Sequence, residues 1–278
     1  MDALFTKTSN ECSKLITNRY STSFSMGIRL FNKRYRMPIY SIYGFVRFAD
    51  EIVDTFHESN KRYLLDKFKK DTYEAIEQKI SLNPVLHSFQ EVVNKYDIDL
   101  ELIEAFLKSM EMDLDNSIYN SSLYDEYIYG SAEVVGLMCL KVFCANNSEQ
   151  YDALKSDARS LGSAFQKINF LRDIKSDYND RGRVYFPDVD YNNFTEEDKL
   201  LIEKDISTDF DRGLRGIRNL PAGAKFGVYL AYIYYVNLFN KISSSPVEEV
   251  KEKRIRVKNR KKVYLLAKSA VKLRLNLI

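Results

Sequence analysis

Tryptophan is absent from this 278-residue chain, and histidine is limited to His57 and His87. Two histidines exclude a His-rich metal centre and leave a Ser-His-Asp triad very few candidates. Cysteine is scarce too: Cys12, Cys139 and Cys144 are odd in number, and none forms a Cys-x-x-Cys pair. A disulfide framework and a zinc knuckle are thereby excluded, and a reducing cytosol fits best. Ten glycines and five prolines exclude collagen-like and proline-rich chains. Residues 1–10 are polar throughout and lack the apolar stretch of a secretory signal. The most apolar run, Gly227 to Phe239, falls short of the ~20 residues of a spanning helix. The expected location is cytoplasmic, with peripheral association at the inner membrane face as the other reading.

What the chain does contain is ordinary globular material, 45% hydrophobic and 29% charged, with 20 Tyr and 17 Phe. Helical periodicity recurs. Leu102, Ile103, Phe106, Leu107 and Met110 follow i, i+1, i+4, i+5, i+8 spacing, and Leu154 to Ile174 reads the same way. No segment shows sustained strand-like alternation. Breakers at Asn83-Pro84, Asn146-Asn147, Arg181-Gly182, Phe186-Pro187, Pro221 and Ser243–Pro246 divide the chain into about eight to ten helices. With no linker and no repeat, residues 1–278 read as one all-α domain.

Charge is unevenly spread. From Lys251 to Ile278 eleven Lys or Arg stand against Glu252 alone, a charge of +10, which leaves −7 on the rest of a chain of net +3. A basic segment on an acidic body suits a polyanionic partner such as diphosphate or anionic lipid; a merely solvated basic helix is the other reading. The segment carries no recognisable nucleic-acid reading motif, so no nucleic-acid partner is expected.

Two acidic motifs carry the chemical signal. In Arg47-Phe-Ala-Asp50-Glu51-Ile-Val-Asp54 the aspartates are i, i+4 apart. On a helix, Tyr43, Arg47, Asp50 and Asp54 share an arc of roughly 60°. Like charges at this spacing repel, so an apolar context demands neutralisation by Arg47 or by divalent cations; an exposed acidic face is the alternative. More than 100 residues later, Gln166, Asn169, Asp173 and Asp177 repeat the pattern within roughly 80°. Two matching polar stripes suggest two helices facing one cavity. Mg²⁺ (or Mn²⁺) held there could bridge to a diphosphate, let a prenyl diphosphate ionise, and leave an allylic cation among aromatic walls. Any one aromatic is more often plain core.

Two further segments admit two readings each. Gly130, Ser131, Ala132 and Gly136 thin one helix side, for close packing or for a long ligand. Arg181-Gly182-Arg183 could grip diphosphate or pair with Asp177 or Asp180.

Taken together, from about Cys12 to Lys262, the chain resembles the phytoene/squalene synthase family of head-to-head prenyl synthases. Asp50-Glu51-Ile52-Val53-Asp54 with Arg47 resembles the family's first aspartate-rich motif. Asn169-Phe-Leu-Arg172-Asp173-Ile-Lys-Ser-Asp177, followed by Arg181-Gly-Arg183-Val-Tyr185-Phe-Pro187, resembles the second. Ser21-Thr-Ser23-Phe24, Met112-Asp113-Leu114 and Tyr127 to Gly136 are similar to three more family elements, all in the expected order. The chain departs from the pattern at Glu133, where the family has glycine, at Asn32, where it has proline, and near Ile118, where it often has arginine.

The resemblance implies an isoprenoid synthase fold with a central cavity for two prenyl diphosphates. It implies that Asp50, Asp54, Asp173 and Asp177, with Asn169, hold Mg²⁺. Arg47, Arg172, Gln166, Asn169, Ser21, Ser23 and Arg183 would hold diphosphate, and Tyr127 would line the reaction zone. Bacterial-type phytoene synthase, joining two geranylgeranyl diphosphates through a cyclopropylcarbinyl diphosphate, is the nearest match. A C30 synthase using farnesyl diphosphate is the first alternative, and a silent binding subunit on the same fold the second. No NADPH is expected.

Overall fold

The computed structural model describes residues 3–115, 118–145, 147–187 and 189–274. Among them, thirteen α-helices account for nearly all regular structure, and the only β-type pairing is an isolated parallel bridge between Ile118 and Val184. The helices are α1 (Ala3–Tyr20), α2 (Thr22–Arg29), α3 (Lys33–Asp54), α4 (Lys61–Gln78), α5 (Pro84–Tyr96), α6 (Leu100–Asp115) and α7 (Ser121–Ile128). A π-helical turn, Tyr129–Glu133, leads into α8 (Val134–Cys144), and α9 (Ser148–Arg181), α10 (Glu196–Asn219), α11 (Ala222–Ser243), α12 (Val247–Glu252) and α13 (Asn259–Arg274) follow.

The described breakers fall in caps or loops. Asn83 accepts from the N–H groups of Val85 and Leu86, with Pro84 in the first turn of α5. Asn147 caps α9 through the N–H of Gln150, while Asn146 lies outside the described residues. Gly182, at φ +63°, ends α9 by returning its N–H to the Tyr178 carbonyl at 3.0 Å. Three more helices exist than the upper expectation. The added boundary between α1 and α2 lacks glycine or proline; Ser21 makes it by capping α2 through the N–H of Phe24 at 3.3 Å.

The core fixes α3, the helix that bears the first acidic motif. Phe45 is fully buried, stacked on Phe89 at 3.9 Å and flanked by Phe68 and Phe106 at 5.5 and 5.3 Å. Burying such a ring is worth about 1.5–3 kcal/mol, so this stack anchors the polar face of α3 in place. Helix α9 runs alongside α10, α8, α11 and the π turn but scarcely touches α3 directly.

The small-residue segment serves close packing. A Cβ on Gly130 would lie 2.4 Å from the Ala105 carbonyl of α6, and one on Gly136 would lie 3.3 Å from the Ala158 carbonyl of α9. Together α7, the π turn and α8 form one run, Ser121–Cys144, long and apolar enough to cross a membrane by length and composition; 56% of it is buried within the bundle. Ser121–Cys144, and not the run Gly227 to Phe239, is the one described segment that meets this length and composition. All three cysteines are free thiols.

Candidate active site

The last turns of α3 form the first wall. Arg47 binds Glu51 at 2.5 Å and lies 3.6 Å from Asp50, with its guanidinium 4.5 Å above the Tyr20 ring. Glu51 takes its short hydrogen bond, while Asp50 is its strongest charge partner. The buried Nε of Arg47 has no hydrogen-bond partner. Burial pushes the Asp50 carboxyl up to about 7; Arg47 opposes this, and Asp54 and Asp113 add to it. The Asp50 side chain keeps 35% of its surface accessible, yet enough protein surrounds it for desolvation to dominate its titration. Asp54 is 3.3 Å from Arg183.

The second wall is the polar stripe of α9. Asn169 donates to Gln166 at 3.3 Å and accepts from the Tyr235 hydroxyl of α11 at 3.3 Å. Asp173 accepts from Arg172 Nε at 3.0 Å and pairs with Arg254 Nε at 2.7 Å, and Asp177 is buried. Arg172, Asp173, Ser176, Asp180 and Arg254 line a cleft of about 190 Å³. Phe170, Asp177, Arg183, Tyr185 and Phe186 surround a more apolar hollow of only about 10 Å³, room for one water at most.

Bridging contacts tie the walls together. The Tyr43 phenol of α3 lies beside Ser21 and within electrostatic reach of Tyr235; burial pushes it up to about 12. Arg183 is buried, with Nη1 3.3 Å from Asp54 and 3.2 Å from Asp113, and its backbone N–H meets the Asp177 carbonyl at 2.8 Å. Its partners are therefore not the carboxylates of Asp177 or Asp180 suggested by sequence proximity. Tyr127 is buried, donates to Asp113 at 2.8 Å, and lies 5.0–5.9 Å from the rings of Tyr119, Tyr185 and Phe170.

Four contributors escaped the sequence reading. Asp113 was visible only as part of the Met-Asp-Leu element, and Tyr185 only as part of the loop after α9. Arg254 and Lys262 were hidden in the basic run: Arg254 reaches Asp173, and Lys262 Nζ donates to Ser23 at 2.6 Å. A charge count cannot tell which of eleven cations turn inward. Glu133, the departure from the family pattern, is held by Arg159 at 2.5 Å and Ser163 at 2.7 Å. Asn32 caps α3 through Arg34, and Ile118 is exposed.

Among the described residues, no three His, Cys, Asp or Glu side chains converge into a ready-made metal cage. The carboxylates come as pairs from two helices. That donor set fits Mg²⁺, which usually takes one or two carboxylates and completes its shell with water and phosphate oxygens.

The all-helical bundle, with i, i+4 aspartate pairs on α3 and α9, has the isoprenoid synthase fold. The chain belongs to the squalene/phytoene synthase family, whose profile matches residues 17–261; the family is one of prenyltransferases. A phytoene synthase from Arthrospira platensis is 31% identical over 207 residues, covering 69% of this chain and 66% of that protein. Phytoene synthase 1 of Solanum lycopersicum is 25% identical over 250 residues, covering 81% of this chain and 59% of its own length. The chain thus spans about two thirds or less of these relatives. In fold it is similar to a dehydrosqualene synthase solved with a ligand (TM-score 0.81, 21% identity, 97% of this chain and 98% of that one). Squalene synthase HpnC from Alicyclobacillus acidocaldarius is also similar (TM-score 0.75, 19% identity, 87% and 96%).

Proposed function

We propose that this chain is a phytoene synthase. It would join two geranylgeranyl diphosphates head to head, with Mg²⁺ (or Mn²⁺), to give phytoene for carotenoid biosynthesis, residues 1–278 acting as one catalytic domain. The observation that carries this reading is the pair of i, i+4 aspartates on each of α3 and α9, each pair with an arginine beside it, joined by Arg183, which meets Asp54 and the Asp177 carbonyl. Relatives at 25–31% identity that are phytoene synthases support the C40 substrate.

Asp50, Asp54, Asp173 and Asp177, with the Asn169 amide oxygen, would hold the cation. When bound, it supplies Lewis-acid neutralisation of the departing diphosphate. Arg172, Gln166, Ser21 and Ser23, joined by Arg254 and Lys262, offer donors to diphosphate oxygens. Arg47 contributes from the α3 side through its unpartnered Nε. Arg183 serves differently from the expectation: its guanidinium is engaged by Asp54 and Asp113, so it braces Asp54.

As the donor's C1–O bond breaks, diphosphate leaves with the electron pair. The acceptor double bond attacks C1, and proton loss closes a cyclopropylcarbinyl diphosphate. A second ionisation, rearrangement and proton loss give the linear hydrocarbon. The rings of Tyr127, Tyr119, Tyr185 and Phe170 pack together here; a cation that reached one of their faces would gain about 0.5–2 kcal/mol in surroundings that exclude water.

The C30 alternative, dehydrosqualene from farnesyl diphosphate, is supported by the fold likeness to a dehydrosqualene synthase over 97% of the chain. Purified protein given each diphosphate with Mg²⁺ and no NADPH decides by the hydrocarbon formed. Phytoene is expected; turnover only with NADPH would overturn the assignment. Asp50→Ala and Asp173→Ala are expected to abolish turnover with helicity intact by circular dichroism.

An anionic membrane surface is the proposed partner of the remaining basic residues, Lys253, Arg256, Lys258, Arg260 and Lys261, which stay exposed. Each contributes about 1 kcal/mol near such a surface. Equal binding to neutral and anionic liposomes would reject it.

A further inference from the structure

The carboxylate of Asp113, in the last turn of α6, is 4% exposed, yet it belongs to neither aspartate motif. Its Oδ2 accepts from the Tyr127 hydroxyl at 2.8 Å, and its Oδ1 accepts from the Tyr185 hydroxyl at 3.0 Å. Arg183 closes the group: Nη1 lies 3.2 Å from Asp113 Oδ1, and Nη2 donates to the Asp113 carbonyl at 2.8 Å. The same Nη1 lies 3.3 Å from Asp54. Three groups from α7 and the loop after α9 thus converge on one buried acid, and through Arg183 they reach the end of α3.

A tyrosine hydroxyl turns freely unless an acceptor fixes it. Asp113 fixes the Tyr127 hydroxyl by accepting its hydrogen bond, and the rings of Tyr119 and Phe170 sit 5.1 and 5.9 Å from the Tyr127 ring. An O–H committed to a carboxylate leaves the phenol oxygen richer in electron density. The Tyr119 hydroxyl is buried in the same cluster, where desolvation and the nearby Asp113 charge raise it above its ordinary value. Burial holds the Asp113 carboxyl up at about 6, with Arg183 as the main opposing influence.

We propose that Asp113 is a positioning residue. It orients the Tyr127 hydroxyl in the reaction zone and, through Arg183, couples that hydroxyl to Asp54 of the first acidic motif. It touches neither substrate nor cation. The inference rests on the reaction-zone role assigned to Tyr127, and it is tested by two readouts, one of which does not depend on turnover.

In steady-state kinetics with geranylgeranyl and farnesyl diphosphate, Asp113→Asn is expected to lower kcat about 10- to 100-fold, the range typical for a group one shell removed from the chemistry. KM should stay within about twofold, as befits a group outside the substrate contacts. Combined with Tyr127→Phe, it should cost no more than Tyr127→Phe alone, because both remove the same hydrogen bond. Asp113→Glu keeps a charge for Arg183 while displacing the carboxylate by one methylene; it guards against misfolding and should behave like Asp113→Asn. Independently, 3-fluorotyrosine at position 127 should show a changed ¹⁹F shift in both variants and an unchanged one in a control at the exposed Tyr63, Tyr63→Phe. Additive losses, a pure KM effect, or an unmoved ¹⁹F shift would each overturn the proposal. Should the wild type yield no hydrocarbon from either diphosphate, the assigned reaction fails, and the ¹⁹F measurement still decides the hydrogen bond.

Discussion

Asp50 ionises reluctantly. An ordinary aspartate titrates near 3.8, and burial raises this one to about 7. Between those values the folded chain binds the proton more tightly than the unfolded chain, so stability falls as pH rises from about 4 to about 7 and is flat above. Asparagine carries no such penalty. Asp50→Asn is therefore expected to melt higher than wild type at pH 8 without divalent cation, with the gap shrinking at pH 5; thermal unfolding at both pH values checks this. Adding Mg²⁺ should raise the wild-type midpoint more than the variant's. The aspartate pairs themselves were legible because i, i+4 spacing is a local property of one helix. The partner of Arg183 was not: Asp54 is 129 residues away, and nothing in the intervening sequence specifies that approach.

At the scale of elements, two glycines do different work. Gly182 sits at φ +63° in open space, so Gly182→Ala costs only backbone strain, about 1 kcal/mol. Gly130 lies where a Cβ would meet the Ala105 carbonyl at 2.4 Å and Ser109 Cβ at 2.7 Å. Gly130→Ala must push the π turn away from α6, an overpacking cost of about 1–3 kcal/mol. Urea unfolding should rank Gly130→Ala as the more destabilising, and it should also lower turnover because Tyr127 is anchored one turn earlier. Helix type and most stops were readable from periodicity, caps and breakers. The merging of α7 and α8 through the π turn was not, because the segment has no breaker and its bend comes from packing on α6 and α9. For the same reason the small residues there could not be assigned to packing until neighbours were known.

Over the whole molecule, the basic segment folds back on the acidic helices. Arg254 pairs with Asp173, and Lys262 donates to Ser23 in α2. Burial and the neighbouring Arg172 and Arg256 lower the Lys262 ammonium from its usual value, so that cation would gain from an incoming anion. Arg254→Ala and Lys262→Ala are each expected to raise KM for the prenyl diphosphate about tenfold, in line with one charge-assisted hydrogen bond, with kcat less affected. Steady-state kinetics at low and high salt check this, with the larger effect at low salt. The all-α class was evident from the sequence, whereas the inward turn of this segment depends on α13 docking against α11 through Leu265 and Tyr234.

The contact between Ser23 and Lys262 bridges 239 positions. A polypeptide still being translated therefore lacks this corner of the pocket until nearly all of its residues up to Lys262 have left the ribosome. Fragments that stop before Arg254 could fold much of the bundle yet would hold Asp173 without its distal cation, and a split-protein reporter cut at residue 253 should regain diphosphate affinity only when the two pieces are reunited.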